Sequence, residues 1–168
     1  DVCSSDLSFD RMQQARDSGQ IRSFTGNDYQ ADLLAGNFAA CIAWSGDVAQ
    51  LVLEQPKLRF LVPESGGVLW ADVMVMPKGA RHRQAVAEWL NWIYDPVNAA
   101  RIAASVQYIS PVQGVQQILA ADPANRALAT NPQMFPDAAM QQRLRVFGPL
   151  SPEEEARFDE RFARISQA

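Results

Sequence analysis

Two short stretches of the sequence each place a tryptophan close to an aspartate. In "AWSGD" (43–47), Trp44 ends an apolar run and Asp47 falls in the expected first turn of a helix. In "WAD", Trp70 and Asp72 lie two residues apart within an apolar segment. Because side chains two apart on a strand point to the same face, Trp70 and Asp72 should present a ring beside a carboxylate. An unpaired carboxylate is costly away from water, so Asp72 should face solvent or meet a positive charge.

A ring beside a carboxylate suits an organic cation with an apolar body. The ring can cover methylene groups and attract an ammonium group, and the carboxylate can pair with that ammonium. Tyr108, between a predicted helix and Pro111, could line the same pocket. Each residue also has a purely structural alternative. Asp47 can favour the positive end of a helix, Asp72 can lie at a strand edge, and the aromatic rings can pack in the core.

Other kinds of chemistry find little support in the sequence. His82 is the only histidine and lies between Arg81 and Arg83, which favours a solvated surface position. No Ser/His/Asp or Cys/His nucleophile system, Cys/His metal spacing or glycine-rich phosphate loop is present in the sequence. We therefore expect no metal and no cofactor. Asp47 and Asp72 could form an acid/base pair as in a glycosidase, and this enzymatic alternative rests on those two carboxylates alone.

The composition of the chain limits the kinds of partner that it can bind. The 168 residues are 48% hydrophobic and 20% charged, which is ordinary for a globular domain with a core. A formal net charge of −4, with no dense Lys/Arg cluster, argues against a nucleic-acid partner. No apolar run approaches the length of a membrane span.

Strand-like and helix-like segments alternate in the first third of the sequence, and helices dominate afterwards, which indicates an α/β fold. A Pro-, Asn- and Asp-rich segment, 121–137, is predicted to be a surface loop. Ser151 should cap the last helix, with Pro152 in its first turn. The predicted strands are 21–24, 38–44, 58–63 and 68–76, and the predicted helices are 9–20, 26–37, 45–55, 78–96, 96–106, 110–119 and 151–166.

The first residues and the cysteines are interpreted together. "DVCSSDL" (1–7) resembles translated read-through of a sequencing adapter, so residues 1–7 are expected to be a non-native tail that includes Cys3. Cys41 then stands alone in the predicted strand 38–44. We expect it to be a small buried hydrophobe with no disulfide and no catalytic role.

Several motifs, in order, resemble one known family. They are "AWSGD", "PESGGVLWADVMVMPKGA", "LNWIYDPVNAA" and "YISP". Together they look like the second half of the polyamine-binding proteins, which are the substrate-binding components of spermidine/putrescine ABC transporters. The resemblance covers roughly residues 9 to 168.

The resemblance implies an α/β fold of the type II periplasmic binding protein class, with a ligand cleft between two lobes that close by a hinge. Trp44 and Trp70 match the positions of rings that cover the polyamine methylenes. Asp72 matches the central ammonium-binding aspartate, and Asp47 matches an aspartate of putrescine-type members. Tyr108 matches the aromatic residue after the helix pair. The implied protein is a non-catalytic binder of putrescine- or spermidine-like cations.

The resemblance also assigns segments to lobes. Residues 8–70 should belong to the second lobe, residues 71–112 should return to the first, and residues 113–168 should complete the second. A cleft loop that often carries a serine has Gly26 in its place here, which leaves Thr25 as a weak substitute. The implied setting is the periplasm, with a membrane permease as partner, a monomeric full-length protein, and a signal peptide lost with the missing N-terminal half.

If this half of the protein is missing, residues that would pack against it should be exposed. We expect this of Val73, Val75, Trp89 and Trp92, and we expect the 168 residues alone to bind a polyamine poorly. Alternatives within the same class are a binding protein for another organic cation and a sensor or chemoreceptor partner. A protein that binds an anion should show arginine at the cleft, and a protein that binds ferric iron should show paired tyrosines there. The Trp/Asp pairs fit an organic cation better than an anion or ferric iron.

Overall fold

The structure is a computed structural model that describes the backbone of residues 2–167 and the side chains of residues 5–167. The chain forms two compact units. One contains the residues up to Tyr29 together with those from Gly148 onward, and the other runs from Gln30 to Phe147. The helices are α1 (Val2–Asp17), α2 (Tyr29–Ala35), α3 (Ser45–Glu54), α4 (Arg83–Ile93), α5 (Pro96–Val106), α6 (Val115–Ala121), a 3-10 helix (Arg126–Thr130), α7 (Ala138–Arg143) and α8 (Pro152–Ser166).

Two very short strands complete the fold, so the chain is a helix-rich α/β protein. Strand β1 (Gly67–Val68) pairs in parallel with β2 (Leu144–Arg145). The pairing continues for one further bond, because the Leu69 backbone N–H donates to the Arg145 carbonyl at 2.8 Å. None of the helices between residues 2 and 167 combines the length and the apolar character that crossing a bilayer requires.

Helices α1 and α8 pack through aromatic rings and one arginine. The Phe9 and Phe158 rings have their centroids 5.7 Å apart. The Arg161 guanidinium donates to Asp10 at 2.9 Å and also to Asp6. Asp6 belongs to the segment 1–7 that was expected to be a non-native tail, and α1 continues through that segment. Asp1 lies outside the described residues.

The start of α8 confirms the predicted cap. The Ser151 hydroxyl accepts from the Glu154 backbone N–H at 3.2 Å, and the Glu154 carboxylate accepts from the Ser151 backbone N–H at 2.9 Å. Pro152 occupies the first turn, where its missing N–H costs nothing. The hydrogen bond from the Ser151 backbone lowers the pKa of Glu154. The sequence pattern was sufficient here because a capping box involves only four consecutive residues.

The core of the second unit forms where α5, α6 and the 3-10 helix meet. Asp95 caps α5 by accepting from the backbone N–H groups of Val97 and Asn98, at 3.0 and 3.2 Å. Alanines on the buried face of α5 allow α6 to approach closely. The buried residues of this core are Ala99, Ala100, Ala103, Val115, Leu119, Ala129 and Met134.

The segment 121–137 does not remain a surface loop as predicted. It contains the 3-10 helix, and it contributes Ala129 and Met134 to the core. The Gln116 amide holds it in place by donating to the Ala129 carbonyl at 2.8 Å. The turn-forming residues of this segment pack the chain against α6, so it does not form an extended surface loop. Helix α7 follows directly and was not predicted, although Asp137 caps it by accepting from the Met140 backbone N–H at 2.7 Å.

The predicted strands differ most from the structure. Within the described residues, Val68 is the only residue of the predicted strand segments that lies in a strand, the two-residue β1. A segment becomes a strand only when it forms hydrogen bonds with a neighbouring strand, and an apolar pattern alone does not provide that neighbouring strand. Segment 38–44 is consequently not buried, and the Ile42 side chain is 99% exposed. Cys41 is likewise exposed, so its predicted burial was wrong.

The expected exposure of the four apolar residues is confirmed. Val73 and Val75 are 78% and 81% exposed, and Trp89 and Trp92 are 57% and 55% exposed. Helix α4 buries no residue fully, although its sequence is amphipathic. An apolar helix face of this kind normally packs against another element.

Gln107, immediately after α5, adopts a left-handed conformation with φ 56° and ψ 31°. A residue with a Cβ is strained there, whereas glycine is not. We expect Gln107→Gly to raise the free energy of unfolding by about 1 kcal/mol. Unfolding in urea would measure this change in the free energy of unfolding. Gln84→Gly, inside α4, is the opposite control and should lower stability by roughly half a kcal/mol. Loss of stability in both variants would contradict the argument.

Candidate functional site

The two tryptophans of the "AWSGD" and "WAD" motifs contact each other. The Trp44 and Trp70 ring centroids lie 5.0 Å apart, with the ring planes at 62°, an edge-to-face arrangement. Trp44 precedes α3 with extended backbone angles, φ −83° and ψ 135°. Trp70 follows Leu69, whose bond to Arg145 anchors the end of β1. Both rings remain about 40% exposed, at 40% and 43%. The pair therefore forms an aromatic wall open to solvent.

Asp47 lies in the first turn of α3, three residues after Trp44. Its carboxylate is half-buried, and each of its oxygens accepts a hydrogen bond. Oδ1 accepts from the Tyr108 hydroxyl at 2.8 Å, and Oδ2 accepts from the Gln30 Nε2 at 2.7 Å. The carboxylate of Asp47 thus connects three segments that are distant in sequence, which are α2, α3 and the chain after α5.

The position of Tyr108 depends on how α5 ends and on a missing side chain. Gln107 ends α5 in a left-handed conformation, and the Gln50 amide of α3 donates to the Val106 carbonyl at 3.5 Å. The Tyr108 ring then lies directly against Gly46. A Cβ at Gly46 would be 2.2 Å from the ring, so this approach requires glycine.

Asp72 is exposed and lies two residues beyond Trp70. Its carboxylate makes neither a hydrogen bond nor an ion pair with any residue in the described part of the chain. The alternative raised from the sequence, that Asp72 faces solvent, therefore describes this structure. The ring contact of Trp44 with Trp70 brings both sequence pairs, 44–47 and 70–72, to one part of the second unit.

Thr25, the weakest of the predicted site residues, belongs to the other compact unit. Its side chain is exposed, as is the neighbouring Gly26. Among the side chains of residues 5–167, no group of three or more His, Cys, Asp or Glu is arranged to hold a metal ion.

Sequence reasoning missed two residues of this site. Gly46 was part of the "AWSGD" motif, and a glycine inside a helix start is a signal of close packing. Gln30 gave no signal, because one glutamine in a short helix is indistinguishable from a solvated surface residue. Only its bond to Asp47, 17 positions away in sequence, shows its place in the site.

Comparison with known proteins adds an independent finding. Residues 4–136 match the profile of a family described as bacterial extracellular solute-binding protein. The chain is 26% identical over 130 residues to the putrescine-binding periplasmic protein of Escherichia coli K12, covering 74% of this chain and 34% of that protein. It is 27% identical over 121 residues to a putrescine/agmatine-binding protein of Pseudomonas aeruginosa PAO1, covering 68% and 32%. The chain thus spans about a third of the length of the curated relatives that it matches.

Proposed function

Because this chain belongs to the family of bacterial extracellular solute-binding proteins, we propose that it is part of a polyamine-binding component of an ABC transporter. The full-length protein binds a putrescine- or spermidine-like cation in the periplasm and delivers it to a membrane permease. It is not an enzyme, since this family consists of non-catalytic transport components. It needs no cofactor or metal, and it acts as a monomer.

The observation that carries the proposal is the Trp44–Trp70 contact, with an aspartate close to each ring in sequence. Two rings at 62° form one bent apolar surface against which a polymethylene chain can lie. With centroids 5.0 Å apart, the rings leave no space for an alkyl chain between them. The methylenes therefore contact the outer faces of the rings, and the ammonium groups reach the carboxylates at the edges of the wall.

The two carboxylates have different roles in this proposal. Asp72, which is exposed and has no partner among the side chains of residues 5–167, pairs directly with one ammonium group. Asp47, which accepts hydrogen bonds from Gln30 and Tyr108, pairs with the second ammonium group. Tyr108 supports Asp47 and borders the ligand.

The proposal extends to the organisation of the whole protein. Residues 8–70 and 113–168 belong to one lobe of a type II binding protein, and residues 71–112 belong to the other. The matched part of the chain covers only 34% and 32% of the two relatives. The exposed apolar side chains of Val73, Val75, Trp89 and Trp92 are the residues expected to pack against further sequence of the full-length protein.

Calorimetric titration of the full-length protein tests the proposed ligand class. We expect putrescine and spermidine to bind in the micromolar range or tighter, and butylamine, with one ammonium group, to bind at least about tenfold more weakly. The reason is that a hydrogen-bonded charge pair contributes about 1.5–3 kcal/mol. Equal affinity for butylamine and putrescine, or no binding of either diamine or triamine, would contradict the proposal.

A further inference from the structure

Gln30 donates a hydrogen bond to Asp47, and neither the motifs nor the family resemblance assigns it a role. It is the second residue of α2 and is half-buried. Its amide Nε2 lies 2.7 Å from Oδ2 of Asp47. An ionised carboxylate only accepts hydrogen bonds, so the amide nitrogen, and not the amide oxygen, must face it. The bond is therefore directional and is made by a neutral donor.

The two donors to Asp47 act on different oxygens. Tyr108 holds Oδ1 and Gln30 holds Oδ2, so the plane of the carboxylate is set from both sides. With only one donor, the carboxylate could still rotate about its terminal bond. With two, its orientation is established before any ligand arrives, and less conformational freedom is lost on binding.

Neither donor prevents Asp47 from binding a cation. Both are neutral, so the charge of the carboxylate is not cancelled by them. A carboxylate offers about four lone-pair sites, and these two bonds occupy one on each oxygen. In the proposed complex, an alkylammonium binds Asp47 while the bonds from Gln30 and Tyr108 stay in place.

We propose that Gln30 is a positioning residue of the polyamine site, which raises affinity by orienting the carboxylate of Asp47. This inference rests on the proposed function. It assigns a binding role to α2, a helix that carries none of the residues predicted from the sequence to bind ligand.

The test is calorimetric titration of putrescine into full-length variants. Gln30→Met keeps the volume of the side chain and removes the donor, and we expect the Kd to rise about tenfold. Gln84→Met is the matched control, because Gln84 also donates to a carboxylate, Glu88 at 3.0 Å, on the exposed surface of α4. Its Kd should stay within about twofold of the unsubstituted protein. Gln30→Ala provides a second variant if Gln30→Met does not fold.

A double-mutant cycle separates positioning from a general structural effect. In an Asp47→Ala background, Gln30→Met should produce no further loss of affinity, because the group that it orients is gone. An equal loss in both backgrounds, or a Gln30→Met protein that binds like Gln84→Met, would overturn the role of Gln30 while the proposed function stands. If the unsubstituted full-length protein binds no putrescine, the proposed function fails, and this inference fails with it.

Discussion

Replacing Asp72 by asparagine is expected to weaken putrescine binding to the full-length protein by about 10- to 100-fold. The carboxylate is exposed and has no partner among the side chains of residues 5–167, so its charge is available to the ligand. A hydrogen bond to a charged group contributes about 1.5–3 kcal/mol, and the substitution leaves the ligand ammonium beside an uncharged amide. Calorimetry at constant ionic strength measures the change directly.

Asp159→Asn is the control for the loss of a negative charge as such. Asp159 lies exposed on α8, in the other compact unit. The two variants carry the same net charge, so any general electrostatic attraction of the cation falls equally in both. Thermal unfolding should be nearly unchanged in both, since an exposed, unpartnered carboxylate contributes little to stability. Equal affinities of the two variants would remove Asp72 from the site.

Substitution of Gly46 by alanine is expected to disrupt the support of Asp47. The added Cβ would lie 2.2 Å from the Tyr108 ring, far inside contact distance. The ring must move, and its hydroxyl then leaves Asp47. Overpacking of this kind typically costs about 1–3 kcal/mol of unfolding free energy. Urea unfolding measures the stability, and putrescine titration of the full-length protein should show weaker binding in parallel.

Two further variants test whether the effect of Gly46→Ala comes from its clash with the Tyr108 ring. Gly79→Ala is the matched control, because a Cβ at Gly79 meets nothing within 4 Å, and it should leave both stability and affinity nearly unchanged. In a Tyr108→Ala background the ring is absent, so Gly46→Ala should become nearly neutral. If Gly46→Ala instead behaves like Gly79→Ala, the close packing of Tyr108 on Gly46 is not present in solution.

The parts of the fold that were predictable are those set by neighbouring residues. Pro96 begins α5 and Ser151 caps α8 because the groups involved lie within one helical turn. Helix α3 was predicted at nearly its observed length, from Ser45 to Glu54. The strands were not predictable in the same way, because an apolar, extended segment becomes a strand only when a neighbouring strand is present to pair with it.

The candidate site also has some features that neighbouring residues determine and others that depend on residues distant in sequence. The sequence by itself determined the family and the residue types, since tryptophan near aspartate in ordered motifs is a local pattern. Only the tertiary structure decided that Trp44 contacts Trp70 and that Gln30 and Tyr108 hold the two oxygens of Asp47. These contacts join residues 17 to 61 positions apart, and chain folding, which no local spacing encodes, brings them together.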